Sequence, residues 1–183
     1  MIFNNRNNAP YKVGGGKIIY DNRSPAVEGV ILIKNINGFV YILGSKRGPN
    51  AADYQGYWNL IAGYLDWNET GSEAIIRETW EEAGLNLHKL LSNNQIIRND
   101  LYYPWNIASD PKMHLQNVSL RYGIYVESKS LPELPELNTK NNEVSGEVSD
   151  LLWMPIQEIN NYKWAFNHNE VIKRYLKINK IKI

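Results

Sequence analysis

The stretch Gly63–Leu85, GYLDWNETGSEAIIRETWEEAGL, decides how this chain is read. It holds Gly63, Glu69, Arg77, Glu78, Glu81, Glu82 and Gly84, with three glutamates inside five residues and an arginine directly before the first. Thr70 can cap a helix, and Glu73 stands three residues on, at the spacing of a capping box. Gly84 can close that helix, so the sequence predicts a helix over 70–83. At 3.6 residues per turn, Glu78, Glu81 and Glu82 share one face, because side chains three and four apart are neighbours. Ile76, Thr79 and Ala83 fall on another face, with Ile75 near its margin, and this stripe can pack on a sheet. Glu78 and Glu82 are a like-charge i,i+4 pair, unfavourable in water without a counter-ion. Carboxylate oxygens gathered this way suit Mg2+ or Mn2+. Such an ion neutralises phosphate charge and lowers the pKa of a bound water, which are the needs of a displacement at phosphorus. A pair of adjacent glutamates alone reads more simply as a solvated helix face; the full spacing changes that weight.

Upstream, Val27 to Lys34 and Phe39 to Ser45 are rich in β-branched and aromatic residues, and Asn35, Asn37 and Gly38 between them predict a hairpin. Trp58 to Ile61 and Tyr64 to Trp67 read as short extended pieces around Ala62-Gly63. Downstream, Asn94 to Arg98 and Gln116 to Glu127 read as strands, separated by the aromatic loop Leu101-Tyr102-Tyr103-Pro104-Trp105. Leu131 to Gly146 reads as a loop and Leu151 to Met154 as a short strand. Pro155 opens a short helix through Ile159, and Asn167 caps a last helix running to Ile178. Strands alternating with helices, with no repeat and no linker, predict one α/β domain over residues 27–183. Residues 1–26 read as an N-terminal arm or edge strand. Gly14-Gly15-Gly16-Lys17 lacks the spacing and the following Ser or Thr of a phosphate loop and reads as a flexible turn.

A chain of 183 residues can bury a sizeable core. The formal charge is +1 with no long charged block, so there is no electrostatic footprint for bulk nucleic-acid binding. With no cysteine, disulfides and thiolate metal sites are excluded. The N-terminal MIFNNRNNAPYK lacks the apolar stretch of a secretion signal, and runs such as Val30–Ile33 are far too short to span a bilayer. The reading is a cytoplasmic protein without a membrane partner. A homodimer, with the arm completing a site in the partner, is compatible with it.

The spacing is Gly, five residues, Glu, seven residues, Arg-Glu, an apolar position, any residue, Glu-Glu, any residue, Gly, an apolar position. In it the chain resembles the Nudix hydrolases at all seven fixed positions, from Gly63 to Gly84, and Leu85 matches the final apolar one. At roughly 6% usage per residue, seven identities coincide by chance on the order of 10⁻⁹ to 10⁻⁸ per window, which separates this run from an ordinary acidic helix. Thr79 stands where an aliphatic residue is usual, and Ile61-Ala62-Gly63 where the family often has Pro-Gly-Gly. Tyr41–Arg47, Gly56–Leu60 and Glu147–Ile159 are also similar to family segments, so the likeness covers residues 27–160.

The resemblance implies an α/β/α sandwich with a mixed β-sheet. It also implies a Mg2+- or Mn2+-dependent hydrolase that cleaves, by water attack at phosphorus, a nucleoside diphosphate linked to another moiety. Glu78 and Glu82 would be the main metal ligands, with Glu81 a ligand or holder of metal-bound water. The Gly63 carbonyl would face the metal, since the missing side chain permits close approach. Arg77 would orient a glutamate, and Glu69 would be its partner or reach a second ion. The general base in this family often comes from a loop outside the box; Glu143 and Glu147 are the candidates, with Glu127 and Glu133 weaker ones. Arg47 and Lys46 could pair with phosphates, and Tyr102, Tyr103 and Trp105 could stack on a base. Tyr102 and Tyr103 stand at the spacing of a tyrosine typical of the diadenosine-polyphosphate class, which favours a small-molecule dinucleoside polyphosphate over ADP-ribose, NADH or a triphosphate. A catalytically silent nucleotide sensor on the same fold is the alternative. An allylic-diphosphate isomerase would need a cysteine that this chain lacks. His88, His114 and His168 form no metal-ligand pattern.

Overall fold

The computed structural model describes residues 11–13, 17–19, 25–109, 117–135 and 146–182. At the centre lies β3 (Pro25–Asn35), buried from Val27 through Ile33. A strand covered on both faces reads as a near-continuous apolar run, and Val, Ile and Leu supply it, with Glu28 and Gly29 the exceptions. β3 runs parallel to β9 (Val118–Ser128) along its whole length. It pairs antiparallel with β4 (Val40–Arg47) towards one end and with β6 (Ile61–Tyr64) towards the other. β10 (Val148–Pro155) extends the sheet beyond β4, and β7 (Gln95–Asn99) extends it beyond β9, giving the order β10-β4-β3-β9-β7. β5 (Trp58–Asn59) pairs with β4, and β8 (Asn106–Ala108) with β9.

Two cores follow from the alternation along β3. Val27, Ile31 and Ile33 pack with Ala74, Ile75 and Leu87 of α1 (Gly71–Ala83) and α2 (Leu87–Asn93). Val30 and Leu32 pack on the other face with Val171, Ile172 and Tyr175 of α3 (His168–Ile178). Helices on both faces of a mixed sheet make the expected α/β/α sandwich. Among the described residues no helix is long and apolar enough to cross a membrane.

The hairpin of β3 and β4 forms as predicted, with Asn35 Oδ1 accepting from the Asn37 and Phe39 amides at 3.0 Å. α1 also forms as predicted. Thr70 and Glu73 make both bonds of the capping box, and Gly84 ends the helix at φ 62, a left-handed conformation that glycine adopts without strain. Ile75 lies in the centre of the buried stripe, not at its margin, and is more deeply buried than Ile76.

Other expectations need correction. The piece from Trp58 to Ile61 divides at Leu60, because β5 is claimed by β4 and β6 by β3. The extended piece expected over Tyr64–Trp67 ends as a strand at Tyr64. Helix α2 and strand β8 were not anticipated; Asn86 caps α2 by accepting from the Lys89 amide at 3.0 Å. Asn167 precedes α3 in a left-handed conformation, φ 57, and makes no side-chain cap. Separately from the large sheet, β1 (Tyr11–Val13) pairs with β2 (Lys17–Ile19) among the described residues, which is compatible with an N-terminal arm.

Candidate active site

β6 delivers Gly63 to the sheet opposite Val27, and the following loop folds back at once. The Leu65 amide donates to the Pro25 carbonyl at 2.9 Å, and the Asp66 amide to Glu69 Oε1 at 2.7 Å. This loop turns the chain into α1, whose acidic face then lies over the Ala62–Gly63 backbone.

Arg77 organises that face. Its side chain is only 5% exposed, so this is no ordinary surface ion pair. Nε and Nη2 donate to Glu69 at 3.1 and 2.8 Å, and Nη1 donates to Glu78 at 2.6 Å and Glu81 at 2.9 Å. Nη2 also donates to the Tyr64 carbonyl at 3.0 Å, and Asp66 stands 4.0 Å from Nε. Burial alone would weaken the charged guanidinium; the bonds to Glu69, Glu78 and Glu81 outweigh it and raise the Arg77 pKa further.

The carboxylates respond in the opposite sense. Burial pushes Glu78 up to about 7, with Glu81 and Glu69 adding to the rise and Arg77 opposing it. Glu82 is pushed well above the usual carboxylate range, by burial first and the Glu78 charge second; Ser45, the Ala62 amide and Arg47 pull the other way. The Ala62 contact is slight, at 3.5 Å to Oε1, and Glu82 Oε2 has no hydrogen-bond partner among the described residues. Glu81 is the more open, at 38% exposed against 13% for Glu78.

Among the described residues no three acidic or histidine side chains converge as a ready-made cation cage. The cause is visible: Arg77 Nη1 takes one oxygen each from Glu78 and Glu81. Two observations nevertheless fit a hard divalent cation bound with phosphate oxygens completing its shell. Glu82 Oε2 is a buried acceptor without a donor. The Glu78 carboxylate lies so close to Gly63 that a β-carbon there would meet Oε2 at 2.5 Å. Only glycine leaves that backbone open to a shared ligand.

Several predicted residues lie outside this cluster. Arg47 is engaged by its own loop, donating to the Asp53 carbonyl and carboxylate at 2.8 and 2.6 Å and stacking on Phe166. Lys46 lies over the Trp58 ring. Tyr102 and Tyr103 are 84% and 82% exposed. Trp105 does not stand with them; it packs against Tyr175 and the second core. Glu147 is exposed at the entry to β10, its carbonyl tied to the Gly48 amide at 2.6 Å. Glu143 lies outside the described residues. Glu133 is exposed, in a segment anchored where Trp153 donates to the Pro132 carbonyl. Glu127 pairs with Lys34 at 2.6 Å. Lys34 is seven residues along β3 from Val27, the residue opposite Gly63. That is roughly 23 Å of strand, which removes Glu127 from this cluster.

Sequence reasoning missed Asp66, a fourth carboxylate around Arg77 whose pKa is raised by burial and by Glu69 against the pull of Arg77. It also missed Glu28, which pairs with Arg121 at 2.7 Å inside the sheet; a lone acid in an apolar strand was the available signal. His168, assigned no role, is buried and accepts from the Leu60 amide at 2.9 Å. Burial lowers its pKa to about 4 despite the Glu28 charge.

The NUDIX domain model matches residues 25–175, most of the chain and all of the geometry above. The chain belongs to the Nudix family. This Nudix chain is 33% identical over 92 residues to an NAD-capped RNA hydrolase of Schizosaccharomyces pombe, a match covering 50% of the chain and only 23% of that relative. It superposes on a Nudix hydrolase from M. Smegmatis, RenU, with TM-score 0.62, 14% identity and coverage of 97% and 98% of the two chains. It also superposes on a bifunctional NMN adenylyltransferase/ADP ribose pyrophosphatase of Francisella tularensis, in complex with AMP and a Mn ion. There the TM-score is 0.60 and the identity 22%, over 85% of this chain and 42% of that one. At these identities the two structural likenesses establish the fold of the Nudix chain and nothing narrower.

Proposed function

We propose that this chain hydrolyses the diphosphate linkage of a nucleoside diphosphate joined to another moiety, with Mg2+ or Mn2+ as cofactor. The observation that carries the reading is the buried Arg77, which fixes Glu69, Glu78 and Glu81 around the Gly63 backbone. Glu78, Glu82, the Gly63 carbonyl and Glu81 would hold the ion, which when bound would offset phosphate charge and acidify water.

The chain's own residues divide the remaining work. Arg77 holds Glu78 and Glu81 in place through Nη1 and is itself locked by Glu69. Glu81, the more exposed of the two, orients the attacking water. Glu147, exposed at the entry to β10, is the loop candidate among the described residues to take its proton. The water oxygen bonds to one phosphorus, the bridging P–O bond breaks, and two phosphate monoesters leave.

Among substrates, the 92-residue similarity to an NAD-capped RNA hydrolase supports a dinucleotide of the NAD type. Tyr102 and Tyr103, free to stack, keep dinucleoside polyphosphates as the competing class. A panel of NADH, ADP-ribose, dinucleoside polyphosphates, nucleotide sugars and triphosphates, with Mg2+ or Mn2+ and products identified by mass, decides between them. Glu81→Gln and Glu82→Gln should each lower turnover by orders of magnitude in a folded protein. Silence across the panel with measurable ligand affinity would replace hydrolysis by sensing.

A further inference from the structure

Three buried oxygens on the α1 side of the sheet, Ser45 Oγ, Asn59 Oδ1 and Glu82 Oε2, make no well-formed hydrogen bond among the described residues, although Ser45 is near enough to Glu82 to act on its charge. Their coincidence is not random. Ser45 and Asn59 are directly opposite in the β4–β5 ladder, and residues opposite in an antiparallel pair project to the same face. Leu43, two residues before Ser45, belongs to the core beneath α1, whereas Trp58, next to Asn59, belongs to the other core. Ser45 and Asn59 therefore both point towards α1, and the Ser45 hydroxyl lies close enough to Glu82 to favour its charged form. Both residues are almost fully buried, at 0% and 3% exposed.

The orientation of Asn59 is fixed. Its Nδ2 donates to the Leu60 carbonyl at 2.6 Å, and a flipped amide would set oxygen against oxygen there. Oδ1 is thus an obligatory acceptor, and so is an ionised Glu82 Oε2. Ser45 supplies one hydroxyl proton. A single enclosed water matches this inventory: it donates to Glu82 Oε2 and Asn59 Oδ1 and accepts from the Ser45 hydroxyl. Glu82 Oε1 is then the oxygen left on the Ala62–Gly63 side, where Glu78 also lies.

We propose that Ser45 and Asn59 are positioning residues for Glu82, holding its inner oxygen through a shared buried water so that the other oxygen is presented beside Gly63. The proposal rests on Glu82 being a cation ligand, and neither residue touches substrate. Partners of this kind typically change metal affinity by about 10- to 100-fold when removed.

The test is a Mn2+ titration of the full chain, followed by electron paramagnetic resonance of free Mn2+, with melting temperature recorded alongside. Ser45→Ala should weaken Mn2+ binding by about tenfold, and Ser45→Thr, which keeps the hydroxyl, should restore it. In a Glu82→Gln background, Ser45→Ala should cause no further loss, because it acts through the missing carboxylate. If Ser45→Ala does not fold, Asn59→Ser takes its place in the same cycle. Unchanged Mn2+ affinity in the single variant, or a full additive loss in the double one, overturns the positioning role. If Glu82→Gln itself binds Mn2+ like the parent, the cation reading fails first, and the two failures are told apart.

Discussion

Gly63→Ala isolates one atom. Gly63 is not among the glycines with positive φ, so alanine imposes no backbone strain there, and its whole effect is steric. The added β-carbon would meet Glu78 Oε2 at 2.5 Å, with Oε1 nearer still, where ordinary contact starts at 3.4 Å. The carboxylate must therefore retreat by roughly 1 Å or more. It is the far end of a flexible side chain with some exposure, so it can retreat, and stability should fall by no more than about 1–3 kcal/mol. A displacement of about 1 Å in a reacting assembly costs on the order of 10²-fold in rate. The assay pairs a melting curve with kcat on whichever diphosphate the panel identifies, with Mn2+ affinity measured on the same sample. The expected result is a folded protein with kcat lowered about 100-fold and weakened Mn2+ binding. A folded Gly63→Ala with kcat and Mn2+ affinity within a factor of about three of the parent would refute the claim that Glu78 and the Gly63 backbone share one ligand.

Arg77→Ala leaves three carboxylates without their common donor and should cost about 3–5 kcal/mol by urea denaturation, whereas Lys173→Ala, which removes the solvent-facing pair with Glu170, should cost under about 1 kcal/mol. Glu78, at about 7 in the folded state against an ordinary 4.5, binds its proton more tightly when folded, so its share of stability is largest at low pH and falls as pH rises from 4.5 to 7. His168, at about 4 against 6.5, contributes stability above 6.5 that is lost as pH falls towards 4. Each shift corresponds to about 3 kcal/mol, and the two slopes oppose one another. Glu82, raised in the same direction, adds a further slope of the Glu78 sign, so metal-free parent protein should lose stability as pH rises from 5 to 6.5, Glu78→Gln should lessen that loss and His168→Gln should deepen it; parallel profiles for all three would contradict the assignments. Removing divalent ions with a chelator should abolish turnover while leaving circular dichroism unchanged, since the arginine network holds α1 without help.

The box helix could be read in advance because its information is local: a cap, a stop, a stripe of apolar residues and a charge spacing within one stretch of chain. Strands β3, β4 and β9 could be read because half-buried or buried strands favour β-branched and aromatic residues, and their segments are rich in them. What could not be read depends on distant partners. Trp58–Ile61 has the composition of one strand, yet β4 and β3 compete for it and divide it at Leu60. Trp105 carries the same chemistry as Tyr102 and Tyr103, and only the presence of Tyr175 beneath it separates a packed ring from exposed ones. Arg47, a plausible phosphate ligand by position, is held by Asp53, six residues later across a loop whose path no spacing rule gives. Ser45 and Asn59 look like neutral strand residues until the ladder sets them face to face.

The parallel seam between β3 and β9 has a consequence for biosynthesis. Glu28 and Arg121, neighbours in that seam, are 93 residues apart in the chain. At about 5–20 residues per second, a ribosome needs roughly 5–20 s to supply the second strand after the first has emerged. Throughout that interval Val27–Ile33 is a bare aliphatic ribbon with one edge uncovered, and the metal-binding helix has no finished floor to rest on. Long-range closure of this sort is slow and exposes sticky surface, so nascent chains stalled before residue 118 should be the species that chaperones retain.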